Sequence, residues 1–131
     1  MNANSNDITN DSEERMPNDK AAFDKDEALE IIQDDEEFLK ELAEMFIIDF
    51  PGQMSKIKEA VDSHDNEALG ESSHKMKGSV VYFGKRAAYE TSLKLEMMGK
   101  ENRLDGVRDI YDILVKDVGQ LVNALKEFVE G

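Results

Sequence analysis

The stretch "SSHKMKGSVVYFG", residues 72–84, sets His74 between Lys75 and Lys77 with Gly78 one turn on. On a helix, which advances about 100° per residue, Lys77 and Gly78 share the histidine's face on one side, and Gly70 and Glu71 share it on the other. An imidazole with the ordinary pKa of about 6.5 is largely neutral at cellular pH, so one of its ring nitrogens is a usable nucleophile. A phosphoryl group suits this setting. It arrives with negative charge that Lys77 is placed to offset, and Lys75 adds a looser positive field. Glycine inside a helix costs about 1 kcal/mol against alanine. At Gly78 that cost has a use, because a face without a side chain lets another protein's active site close over the ring. His64, in the polar linker "SHDNE", has no basic or small-residue setting and reads as solvent-exposed and inert.

Other chemistries find less support. The segment "ESSH", residues 71–74, is Glu-x-x-His, the motif of carboxylate-bridged metal bundles, but such a site needs the motif twice. The other histidine, His64, has Val61 three places before it, so no second copy exists and no metal is expected. Zinc-protease spacing, phosphate-binding glycine loops and dinucleotide glycines are missing, which argues against a conventional enzyme and against a bound cofactor. A non-catalytic helical interaction or scaffold module remains the alternative. The conjunction of His74, Lys77 and Gly78 speaks against it.

Composition narrows the partners. A formal charge of −14 repels phosphate backbones and anionic lipid, so nucleic acid and membrane surfaces are poor candidates and a basic patch on a protein is a better one. Cysteine is absent, which removes disulfides and thiolate metal sites. No apolar run approaches the roughly 20 residues that span a bilayer, and the first residues lack the apolar core of a signal peptide. The expected location is the cytoplasm. A length of 131 residues fits about one domain with one core.

The elements that must position His74 are helices. Residues 1–20 are polar and nearly free of apolar side chains, and read as a disordered tail ahead of a domain over residues 21–131. "FDKDEALEIIQ" opens a short helix with Asp24 as N-cap. "DDEEFLKELAEMFIIDF" makes a second, with Phe38, Leu39, Leu42, Met45 and Phe46 as its apolar positions. Pro51 is expected to bend or restart the chain, so that "PGQMSKIKEAVDS" forms a third helix with Met54, Ile57 and Val61 on one side. The fourth runs from about Asn66 to Phe83, where Leu69, Ser73, Met76, Val80 and Phe83 make a bundle seam that leaves His74 on the flank, and Gly84 stops it. "KRAAYETSLKLEMMGK" makes a fifth with Ala88, Ser92 and Leu95 inward. The last, from about Leu104 to Val129, carries Val107, Ile110, Leu114, Val118, Leu121, Leu125 and Phe128. Short connections make neighbours antiparallel. The expected fold is all-α: an up-and-down four-helix bundle with one or two short additional helices.

These residues carry a resemblance. His74, Lys77, Gly78 and Ser79 match the His-x-x-Lys-Gly-Ser signature of histidine-containing phosphotransfer (HPt) domains; Gly84 matches a following glycine, and Ser92, Leu95 and Glu96 match a small residue followed by Leu-Glu. Upstream, "FLKELAEMFIIDFPGQMSKIKEAV" resembles the family's helix, acidic turn with proline and next helix, and the likeness runs from about Phe23 to Val129. The resemblance implies a monomeric phosphocarrier with no kinase activity and no nucleotide. Its histidine takes a phosphoryl group from a response-regulator receiver aspartate and passes it to another receiver, which contributes the magnesium. Receiver domains and a hybrid sensor kinase are the implied partners. Carried over by position, His74 is the phosphorylated nucleophile, Lys77 the charge partner and Gly78 the docking gap. Lys75, Ser79 and Glu71 complete the docking face, with Ser79 orienting the ring or capping the helix. Ser73 stands where alanine is common, and Tyr82 and Phe83 are bulkier than usual, which bears on the receivers that fit.

Overall fold

The structure, a computed structural model, describes residues 21–131, so the expected tail lies outside the described residues. Five helices follow one another: α1 (Lys25–Ile31), α2 (Glu36–Ser63), α3 (Asn66–Val80), α4 (Ala87–Lys100) and α5 (Val107–Glu130). There is no strand among the described residues. The four long helices pack in a ring, α2 on α3, α3 on α4, α4 on α5 and α5 back on α2, while α1 lies across one end against the turn after α3. This is the expected four-helix bundle with one short addition.

Local chemistry sets the helix starts. The Asp24 carboxylate accepts from the amides of Asp26 (3.0 Å) and Glu27 (3.3 Å), Asp35 from that of Phe38 (3.0 Å), and Asp65 from that of Ala68 (3.0 Å). Each satisfies donors that the first helical turn leaves without a partner. His64 closes α2 in the left-handed region at φ 56°, its side chain exposed, and Asp65 opens α3 at once. Its position is a corner of the backbone.

Pro51 does not break α2, which runs unbroken for 28 residues. A proline in a helix interior forfeits a hydrogen bond and costs about 3 kcal/mol. Packing outweighs it here: Leu39, Ala43 and Phe46 before the proline, and Ile57, Ala60 and Val61 after it, are all buried in one core, with Phe50 and Met54 half-buried between them. A single seam crosses Pro51, so separating the halves would expose both. Phe38 and Met45, expected on the apolar face, are instead largely exposed, and the small Ala43 takes the inward place.

The seam on α3 is as expected, with Leu69, Ser73, Met76, Val80 and Phe83 all buried. The α-helix ends at Val80, and Val81–Phe83 tighten into a 3-10 turn before Gly84, whose φ of 106° suits glycine. A Cβ there would also collide with Glu27 Oε1. Arg86 then ties this corner to α1 through Asp24 (3.1 Å) and Glu27 (2.7 Å). Helices α4 and α5 begin at Ala87 and Val107, each two to three residues later than their patterns suggest.

The α3–α4 contact decides the geometry of the site. Gly70, Ser73, Ser92 and Gly99 are all buried. A Cβ on Gly99 would stand 2.6 Å from the Gly70 amide nitrogen and 2.7 Å from the Asn66 carbonyl oxygen. Only backbone fits between the helices at that point. A side chain of ordinary length on α4 therefore reaches the flank of α3.

Candidate functional site

His74 stands on the flank of α3 next to the fully buried Ser73, so its backbone is anchored while its side chain is 65% exposed. Glu96 approaches from α4. It lies four residues after the buried Ser92, on the inward stripe of that helix, and its side chain is only 3% exposed. Its Oε2 is 2.7 Å from His74 Nδ1 and 3.0 Å from Lys100 Nζ, and its Oε1 meets Lys77 Nζ at 2.7 Å. Three groups from two helices thus converge on one buried carboxylate.

Burial alone would raise the Glu96 carboxyl, but Lys77, Lys100 and His74 together outweigh it and hold it down at about 2. The bond to Glu96 in turn raises the Lys77 ammonium. Glu96 is therefore a permanent anion near neutral pH, and an ionised carboxylate only accepts hydrogen bonds. A neutral His74 ring must then carry its proton on Nδ1 and donate it to Glu96, which leaves the Nε2 lone pair open toward solvent. The arrangement supplies a nucleophilic nitrogen of fixed orientation beside two cations.

The other residues singled out in the sequence lie at several places around α3. Gly78 is exposed, and a Cβ there would meet nothing within 4 Å. Lys75 is exposed and lines a groove between α2 and α3 with Asp49, Gly52, Gln53, Lys56 and Ser72, and Glu71 is exposed one turn before Lys75. Ser79 departs from its expected role. Its hydroxyl pairs with the Gln53 side chain, accepting at 3.1 Å and donating at 3.3 Å, so it joins α3 to α2 and does not orient the ring. Glu71 is exposed, and the His74 ring turns to Glu96 on α4. Among the described residues no group of three or more His, Asp or Glu is placed to hold a metal ion, and no helix is long and apolar enough to cross a membrane.

Sequence reasoning passed over two members of the site. Glu96 entered only as part of a matched pattern, and Lys100 not at all. The signal was present in α4: continuing the inward stripe of Ala88, Ser92 and Leu95 reaches Glu96, and an acid at an inward position demands a cation. Lys100, four residues on, is the same-helix cation that answers it.

Comparison with known proteins places the chain by sequence. The chain is 26% identical over 106 residues to the phosphorelay intermediate protein rdeA of Dictyostelium discoideum, an alignment that covers 81% of this chain and 42% of that protein. The chain thus spans less than half the length of this relative. No solved structure gives a significant match. The Hpt domain family matches residues 41–130, which include α3, α4, α5, most of α2 and every residue around Glu96, and the chain belongs to that family.

Proposed function

We propose that this chain is a phosphorelay intermediate in which His74 Nε2 takes a phosphoryl group from a receiver aspartyl phosphate and yields it to a second receiver. The observation that carries the proposal is the exposed His74 ring held at Nδ1 by a buried, permanently charged Glu96. Family membership supports two-component phosphotransfer as the general role, and the name of the Dictyostelium relative points the same way.

In the step itself the Nε2 lone pair forms the N–P bond as the P–O bond to the aspartate breaks, and the bonding pair leaves with the aspartate carboxylate. The Nδ1 proton stays on the ring and in its bond to Glu96, which compensates the positive charge that the imidazole gains. Ammoniums beside the ring offset the charge of the phosphoryl oxygens. Gly78 leaves space for the receiver to close over the ring, and Lys75 and Glu71 flank that approach. The described residues supply position and charge, and the role we infer is that of a phosphocarrier dependent on kinase and receiver partners, acting as a monomer in the cytoplasm. Residues 21–131 carry this role, and residues 1–20 are dispensable for it.

Label transfer tests the proposal. A phosphorylated receiver should label the protein at one acid-labile, base-stable site, His74→Gln should abolish the label, and His64→Gln should keep it. Label that survives in His74→Gln and disappears in His64→Gln would sink the assignment.

A further inference from the structure

Glu96 brings one negative charge to two ammoniums, so one positive charge is left over beside the ring. The two lysines are not equivalent. Lys77, from α3, is 21% exposed and meets Oε1; Lys100, from α4, is 65% exposed and meets Oε2, the oxygen that His74 Nδ1 also uses. The stem of Lys100 passes over α3 at Gly70, one turn before His74: a Cβ on Gly70 would stand 3.7 Å from Lys100 Cγ, an ordinary contact. The Lys100 ammonium therefore approaches the ring from the side of Gly70, along a path on the solvent face.

Given the phosphocarrier reading above, we infer that Lys100 is the ammonium that leaves Glu96 for the phosphoryl oxygens on His74, while Lys77 stays on the carboxylate as its resident counter-ion. A carboxylate this deeply buried cannot be left without a cation, because an unpaired buried charge is far more costly than a broken surface pair. Of the two cations, the one that can leave most easily is the one whose side chain is mostly in water, since an exposed ion pair contributes little. Its departure also frees Oε2 for the Nδ1 proton of a ring that phosphorylation has made cationic. No proton moves with Lys100; it exchanges one anionic partner for another. Lys77 is then a positioning residue that keeps Glu96 charged and aimed at the ring, and Lys100 is the group that touches the phosphoryl oxygens.

Phosphoramidate, a small donor that needs no docking, tests this on the full chain. Side-chain NMR of the lysines before and after labelling should show the Lys100 ammonium and its neighbouring methylene moving with phosphorylation, and those of Lys77 moving far less. Lys100→Met should slow labelling about tenfold, as expected for one charge-assisted contact, with little change in melting, and Lys100→Arg should restore most of the rate. Lys77→Met should lower the melting temperature. If the Lys77 signals move and those of Lys100 do not, or if Lys77→Met slows labelling more than Lys100→Met at unchanged melting, the division of roles is wrong. A parent protein that takes no label overturns the phosphocarrier reading and this inference together; label with the two lysines reversed overturns this inference alone.

Discussion

A Cβ added to Gly99 would stand 2.6 Å from the Gly70 amide nitrogen, whereas one added to Gly78 would meet nothing within 4 Å. Both glycines sit inside helices, both forgo the same helix propensity, and they serve opposite faces of one helix pair. On the inner face the missing side chain brings α3 and α4 together, and Glu96, three residues before Gly99, is carried to within 2.7 Å of the His74 ring. On the outer face it keeps the ring's surroundings empty. The contrast separates two needs of a phosphocarrier that a single motif conflates: a tight interior that fixes the nucleophile, and an open exterior that admits the partner.

The inner glycine bears on both stability and chemistry, because the approach of the two helices depends on it. Gly99→Ala should destabilise the fold by about 1–3 kcal/mol, although the same change at an open helical site would stabilise it, because the new methyl group meets backbone that has no rotamer to yield. Denaturant unfolding followed by circular dichroism measures this directly. Label acceptance by His74 should fall as well, since separating the helices draws Glu96 from the ring. A variant as stable as the parent would show that α3 and α4 do not approach as described.

Next comes the group that the close approach delivers. The folded Glu96 carboxyl titrates at about 2 against an ordinary 4.5, a depressed value, so its contribution is complete above about pH 4.5 and is lost as pH falls toward 2. That contribution is on the order of 3 kcal/mol. Glu96→Gln should therefore be less stable than the parent at neutral pH and should lose less of its stability between pH 4.5 and 2. Its amide can donate to Nδ1 and turn the lone pair away from Nε2, so acceptance of label should fall by roughly tenfold or more. Parallel acid limbs for parent and variant would show that Glu96 is not held as an anion by its neighbours.

Much of this was legible in the residues, and what was not has a physical reason. The α3 seam could be read because Leu69, Ser73, Met76, Val80 and Phe83 repeat with the period of a helix, and the flank position of His74 follows from that seam by geometry alone. Pro51 misled because its cost is local while the compensation is not: the seam through Leu39, Phe46, Ile57 and Val61 acquires its worth only against α3 and α5. Ala43 hid behind Met45 because a hydrophobic scale rewards size, whereas the close-packed interior had room for the smaller side chain. Glu96 could be placed on a face, yet its meeting with Lys77 and His74 depends on the separation of α3 and α4, and that is set by Gly99. Spacing along one helix carries no information about a neighbour's distance.

The smallest effect on stability, and the sharpest contrast with Gly99, is expected at Gly78. Gly78→Ala should raise stability by up to about 1 kcal/mol, because the backbone there is regular α-helix and the methyl group enters open space. Gln and Leu at the same position should also fold, since position 78 lies on the exposed face and not on the buried seam of Met76 and Val80. Transfer from a receiver should nevertheless fall steeply from Gly through Ala and Gln to Leu, because each added atom holds the partner's aspartyl phosphate farther from Nε2 and small displacements of reacting groups are costly. Phosphoramidate needs no docking, so its rate should vary little across the series. Measuring both donors on each variant separates access from chemistry. Bulky variants that accept from receivers at the parental rate would show that the outer face is not where the receiver closes, and would leave Gly78 without the role that its open surroundings suggest.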